Sequence, residues 1–251
     1  MNQPAVSLVL EWLKQVRDSR EEPPRISRAA LLRIPELGRT RAVPLGPDKE
    51  SALAAINARV SACTRCEHLA RSRTQTVFGV GKPDAELMFI GEAPGADEDL
   101  RGEPFVGRAG QLLTRIIETM GLTRADVYIA NILKCRPDMP DGVPGNRPPT
   151  PAEMQTCIGY LIEQIAIIEP KVIVALGATA VEGLLGVRGA MRQLRGTWQI
   201  FRNTPLMITY HPSYLLRNQA PTEKRKVWED MLAVLDKLDR PISEKQRNYF
   251  R

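Results

Sequence analysis

The stretch ELMFIGEAPG, Glu86–Gly95, decides how this chain folds. Glu86 to Gly91 is a short apolar run that ends on glycine, which reads as a buried strand. Pro94-Gly95 forces a turn directly after it, so Glu92 is presented at the C-terminal edge of a sheet.

Working outward, strands and helices alternate. Gly107 to Met120 has the spacing of an amphipathic helix, closed by Gly121. Val127 to Ile132 is a second strand. Thr150 caps a long helix to Ile168, with Glu153 completing a capping box. Lys171 to Leu176 is a third strand, running through Gly177 into a helix that ends at Leu185. Leu206 to Tyr210 is a fourth strand, Thr222 to Leu238 a final helix, and Lys49 to Val60 an earlier one. This order predicts a parallel sheet with helices on both faces. In such sheets ligand groups gather just beyond the strand C-termini. Gly91-Glu92, Asn131 and His211 all fall there.

Upstream, residues 4–19 space Val6, Val9, Leu10, Leu13 and Val16 at helical intervals. Glu21 through Pro47 is rich in proline and arginine and reads as a tether, because proline suits neither helix interiors nor central strands. The expected organisation is an extension over residues 1–47 and a compact domain over 48–251.

Apolar residues make up 43% of the 251 and charged residues 25%, so wholesale disorder is excluded. The longest nearly unbroken apolar run, Val172 to Val181, is about half of what a bilayer requires. The first helical run carries Glu11, Lys14, Arg17 and Asp18, unlike a secretory signal, so the expected location is the cytoplasm. A net charge of +6 favours a polyanionic partner without specifying one.

The chain has four cysteines, Cys63, Cys66, Cys135 and Cys157, the first two as C-x-x-C. Their number and arrangement point to one four-thiolate metal site. Zinc and a four-iron cluster both accept four thiolates, and spacing does not separate them. Cys135 and Cys157 also suit plain burial as small apolar side chains. A redox dithiol at Cys63/Cys66 lacks a thioredoxin-like setting.

Four long segments occur in order: GEAPG…PFVGRAG from Gly91, NILKCRP from Asn131, NRPP from Asn146 and HPSYLLR from His211. Through them the chain resembles the iron–sulfur, or family-4, uracil-DNA glycosylases between Ser61 and Leu238. The resemblance implies a three-layer α/β/α sandwich around a four-stranded parallel sheet. It implies a DNA-repair enzyme that flips uracil out of single- or double-stranded DNA and hydrolyses its glycosidic bond to leave an abasic site. Cys63, Cys66, Cys135 and Cys157 fall where that family holds a [4Fe–4S] cluster. Glu92 matches the carboxylate near the attacking water, with Gly91 and Ala93 beside it in the pocket. Phe105 matches the aromatic that stacks on uracil, Asn131 the amide that reads the base edge, and His211 the histidine at O2. Glu98 lies where the family guards the C5 edge against a thymine methyl. Leu215-Leu216-Arg217 reads either as a minor-groove wedge with a phosphate contact, or as a helix start packing its leucines into the core.

These residue types suit the chemistry. A base inside the stack must be flipped out before a pocket can close on it. Asn131 can donate to O4 and accept from N3–H, whereas cytosine presents the reverse pattern. Cleavage leaves positive charge on the sugar and negative charge on the base, which Glu92 and His211 are placed to meet. His68, beside the C-x-x-C, reads as structural. Related proteins that bond covalently to the uracil site use a basic, His-containing insertion in this region; the loop Pro137–Pro149 holds no histidine and only Arg147, so the resemblance implies no covalent trapping here. Two rival readings are a non-catalytic DNA-binding module, like the glycosylase-like segment of some phage polymerases, and an iron–sulfur electron carrier. The pocket motifs disfavour both. No feature identifies a membrane or protein partner.

Overall fold

The computed structural model describes residues 48–139, 143 and 145–250. The extension read over residues 1–47, with its helix at 4–19, lies outside the described residues.

Two helices come first, α1 (Lys49–Ser61) and α2 (Glu67–Ser72), followed by the short strand β1 (Val80–Gly81). The strand β2 (Leu87–Gly91) leads through α3 (Ala96–Arg101) and α4 (Arg108–Thr119) to β3 (Tyr128–Asn131). Helix α5 (Pro151–Ile168), strand β4 (Val172–Leu176) and helices α6 (Ala178–Leu185) and α7 (Met191–Leu194) come next. A hairpin of β5 (Trp198–Phe201) and β6 (Thr204–Thr209) precedes α8 (Pro212–Arg217), α9 (Pro221–Lys237) and α10 (Glu244–Arg247).

The sheet runs in the order β1-β3-β2-β4-β6-β5. Its four central strands pair in parallel, as the alternation of strands and helices requires. The two outer strands, β1 and β5, pair antiparallel with their neighbours. The sheet therefore has six strands, two more than the four expected. Both extra strands are edges: β1 is two residues long, and β5 leaves Trp198, Gln199 and Ile200 exposed. The β5–β6 turn places Arg202 and Asn203 at φ 47° and 70°, the left-handed pair of a tight hairpin.

Every residue of β2 and β4 is buried, because helices cover both faces. Side chains alternate between two cores. Met88, Ile90, Ile173, Ala175, Leu206 and Ile208 pack beneath α1, α5 and α6. Leu87, Phe89, Val172, Val174 and Met207 pack against Leu113 and Ile117 of α4 and Trp228, Met231, Val234 and Leu235 of α9. Three layers result. Thr150 caps α5 by accepting from Glu153 N, while the Glu153 carboxylate accepts from Thr150 N at 2.6 Å, the reciprocal cap read from the sequence.

The register sets the site. Gly91 lies opposite Asn131, and Leu176 opposite Thr209, so the strands finish along one edge. Glu92, Asn131, Gly177 and His211 are brought to that edge by chain direction alone.

Candidate active site and thiolate centre

A cavity of about 640 Å³ opens at this edge, and Glu92, Ala93, Glu98, Phe105, Asn131, His211 and Arg217 all line it. Residues as far apart in sequence as Glu92 and Arg217 thus converge on one space. Gly91 is just behind the wall. A Cβ on it would strike the Phe105 ring and Asn131 Oδ1, so only glycine lets those two side chains approach each other.

Phe105 is buried and holds φ at 56°, a left-handed conformation that a bulky residue adopts only when its surroundings impose it. Three restraints do so. Arg124 donates from one guanidinium to Phe105 O at 3.2 Å and Pro104 O at 2.8 Å. Glu98 accepts from Val106 N at 2.9 Å and Gly107 N at 2.8 Å. Its other oxygen accepts from Gly95 N at 3.1 Å. Glu98 is therefore a brace between the start of α3 and the Phe105 turn, since both of its oxygens are engaged by backbone amides. This bracing stands beside the expectation that Glu98 guards the C5 edge, since the residue also lines the cavity. Glu98→Gln sets an amide N–H against Gly95 N–H, which costs about 1–3 kcal/mol. We expect lower thermal stability and weaker uracil release with no thymine release. Thymine release from the variant would favour the guarding role.

Asn131 is buried, and its Oδ1 has no hydrogen-bond partner. A buried acceptor left open is rare and is costly unless a ligand fills it. The main chain around it is tightly held: Lys134 Nζ donates to Asn131 O at 3.0 Å and to Gln164 Oε1 at 2.6 Å. Burial pushes the Lys134 amine down to about 7.

His211 caps α8, its Nδ1 accepting from Ser213 N at 3.2 Å and lying 2.8 Å from Ser213 Oγ. With Nδ1 an acceptor, the neutral ring carries its proton on Nε2. Burial, aided by the nearby Arg217 charge, pushes the ring down to about 4, so it is neutral at physiological pH. Its centroid stands 5.6 Å from that of Phe105. Gly177, at φ 90°, makes room behind it: a Cβ there would come within 2.9 Å of His211 Cβ.

The Glu92 carboxyl is raised by burial, against a hydrogen bond from Thr179 Oγ1 to Oε2 at 2.5 Å. Of the three residues read as a wedge or a core start, Leu215 is buried against Tyr210 and Val227. Leu216 is half-buried and Arg217 exposed. Packing claims Leu215, and only Leu216 and Arg217 are displayed.

The four cysteines line a second, smaller cavity together and form no disulfide. Cys63 follows α1, Cys66 caps α2, Cys135 follows β3 and Cys157 lies within α5. Donors surround the sulfurs: Arg73 Nη1 lies 3.0 Å from Cys135 Sγ, and Lys134 N 3.3 Å from Cys157 Sγ. Burial raises the Cys63 thiol, but hydrogen bonds from Tyr160 and Arg65 outweigh it and leave the thiol lowered. Burial pushes the Cys157 thiol up to about 11. Four gathered sulfurs ringed by cationic and N–H donors fit an anionic four-thiolate group. His68 Nε2 donates to Glu153 Oε1 at 2.7 Å. Arg147 binds both Glu153 and Asp138, occupying the carboxylates that His68 would need to share a metal.

Thr179, Arg124 and Asn146 escaped the sequence reading. Asn146 lines the cavity within NRPP, so its motif held the signal; Thr179 and Arg124 belong to no motif and reach the site only through the fold.

The cavity thus combines an aromatic ring, an open amide oxygen, a neutral imidazole and a carboxylate at the edge of a parallel sheet. The sequence pattern of the Uracil DNA glycosylase superfamily matches residues 78–232. A type-4 uracil-DNA glycosylase of Thermotoga maritima is 44% identical over 188 residues, covering 73% of this chain and 93% of the relative. One from Archaeoglobus fulgidus is 39% identical over 186 residues, covering 68% and 88%. A type-5 uracil-DNA glycosylase of Thermus thermophilus is 31% identical over 157 residues, covering 55% and 68%. The chain belongs to the uracil-DNA glycosylase superfamily, alongside its type-4 members.

Proposed function

We propose that this chain excises uracil from DNA as a monofunctional glycosylase, with its four cysteines holding a [4Fe–4S] cluster. The single observation that carries the reading is the unpartnered Oδ1 of buried Asn131, in a cavity it shares with Phe105 and His211. Uracil N3–H supplies the missing donor, and the Asn131 amide nitrogen donates to O4. Phe105 stacks on the flipped base, worth about 1–3 kcal/mol. Neutral His211 offers its Nε2–H to O2, where negative charge grows as the bond breaks. Glu92 orients a water and faces the positive charge developing on the sugar. Cys63, Cys66, Cys135 and Cys157 would ligate the cluster, which supplies a rigid cross-link between chain segments. On this reading exposed Arg217 and half-buried Leu216 would meet the DNA backbone and groove. The proposed place of action is the cytoplasm. Among the described residues no helix is long and apolar enough to cross a membrane.

The hydrolytic reading is supported by the lysines: among the described residues none lines the cavity. Lys134 is fully enclosed and bonded to Asn131 O and Gln164, so its nitrogen does not reach the cavity space. Arg147 of the loop is bound to Asp138 and Glu153. Borohydride added during turnover is expected to leave no protein–DNA adduct while free uracil accumulates. A borohydride-stabilised adduct on denaturing gels would contradict the hydrolytic reading.

A further inference from the structure

Thr179 sits in the second position of α6, 87 residues from Glu92, yet its hydroxyl donates to Glu92 Oε2 at 2.5 Å. It lines the same cavity as Glu92. The helix that carries it begins immediately after Gly177, whose amide donates to Thr209 O at 2.9 Å, so its start is fixed to the sheet edge. The donor is thus as firmly placed as the strands. The other charged or titratable groups lining the cavity serve elsewhere. Glu98 is bonded by three backbone amides, Arg147 by Asp138 and Glu153, and His211 by Ser213, while Arg217 is exposed on α8.

We propose that Thr179 is a positioning residue for excision: its hydroxyl fixes one carboxylate oxygen of Glu92, so that the other is turned to the attacking water. The inference rests on the reading of Glu92 given above. A carboxylate half removed from water has a free torsion at its end and an unfavourable charge. One short O–H···O⁻ bond restrains the torsion and favours the ionised form. Burial raises the Glu92 carboxyl and this bond opposes the rise. Removing the hydroxyl therefore lets the carboxyl rise further, and activity that needs the ionised form is lost at a higher pH.

The test is single-turnover uracil release from a uracil-containing oligonucleotide, measured across pH with the full chain. For Thr179→Val we expect a maximal rate about tenfold lower and an acid limb moved up by about one pH unit, since a bond to a charged group is of that size. The Kd for the oligonucleotide should be unchanged, because the hydroxyl acts on the carboxylate and not on DNA. Thr179→Ser, which keeps the donor, should retain the wild-type limb. Thr179→Ala repeats the measurement should the valine variant melt early. Glu92→Gln separates the two claims. If it is inactive while Thr179→Val and Thr179→Ala keep the wild-type rate and acid limb, the positioning role is overturned and the reading of Glu92 stands. If Glu92→Gln is fully active, both fall.

Discussion

Asn131→Asp is expected to lower uracil release by at least about tenfold, or about 1.4 kcal/mol, when measured in mildly alkaline buffer. The substitution is nearly isosteric, so the change is one of hydrogen-bonding pattern. On the proposed reading the amide nitrogen would donate to O4, and Oδ1, which has no partner in the protein, would accept from N3–H. An ionised carboxylate instead meets O4 acceptor to acceptor, in a position that is 2% exposed, where mismatched polar groups are costly. The same carboxylate accepts from the N4 amino group of cytosine, and once protonated it donates to N3. Weak cytosine release should therefore appear and rise as pH falls. Asn131→Ala loses the same contacts without gaining that pattern. Equal loss of uracil release in both variants, with no cytosine released by either, would show that Asn131 does not read the base edge.

Cys135→Ala is expected to have the largest effect on stability. Cys135 follows β3, Cys157 lies in α5, and Cys63 and Cys66 precede α2, so a shared ligand set would join three separate stretches of chain. Cutting one ligand removes a cross-link that the unfolded chain does not have. A loss of about 3–5 kcal/mol is expected, lowering the midpoint of a domain this size by roughly 10 °C. Wild-type protein purified in air should be brown with a broad visible shoulder, and the variant should lose it. Colourless wild-type protein holding one zinc would contradict the iron–sulfur assignment.

How much of this was legible beforehand depended on whether the signal was local. The central strands could be read because burial on both faces makes them unbroken apolar runs, as in Val172–Leu176. Edge strands carry no such signal. In β5 three of four residues are exposed, and its turn is Arg202-Asn203 without the usual glycine. Helix α3 was missed because ADEDLR has no apolar face; it is anchored by buried Asp99, whose carboxylate accepts from Thr74 N at 2.9 and 3.1 Å.

The site shows the same division. Glu92, Asn131 and His211 announce themselves because they follow strands, and chain direction takes strand ends to one edge. Glu98 lines the cavity, but its partners went unread because they are backbone amides that no residue pattern encodes. Arg124 holds a turn about twenty residues earlier, and Thr179 a carboxylate still farther away; a lone arginine or threonine in sequence looks like any other. Such partners become visible only when the fold closes.

In the proposed function one cavity, lined by Glu92, Phe105, Asn131 and His211, removes uracil from DNA. The most direct measurement is product analysis after incubating the full chain with oligonucleotides carrying a single uracil or, as control, thymine or cytosine. The account predicts free uracil and alkali-labile abasic sites in equal amounts from the uracil strand alone. Binding of the uracil strand without release of the base would contradict it.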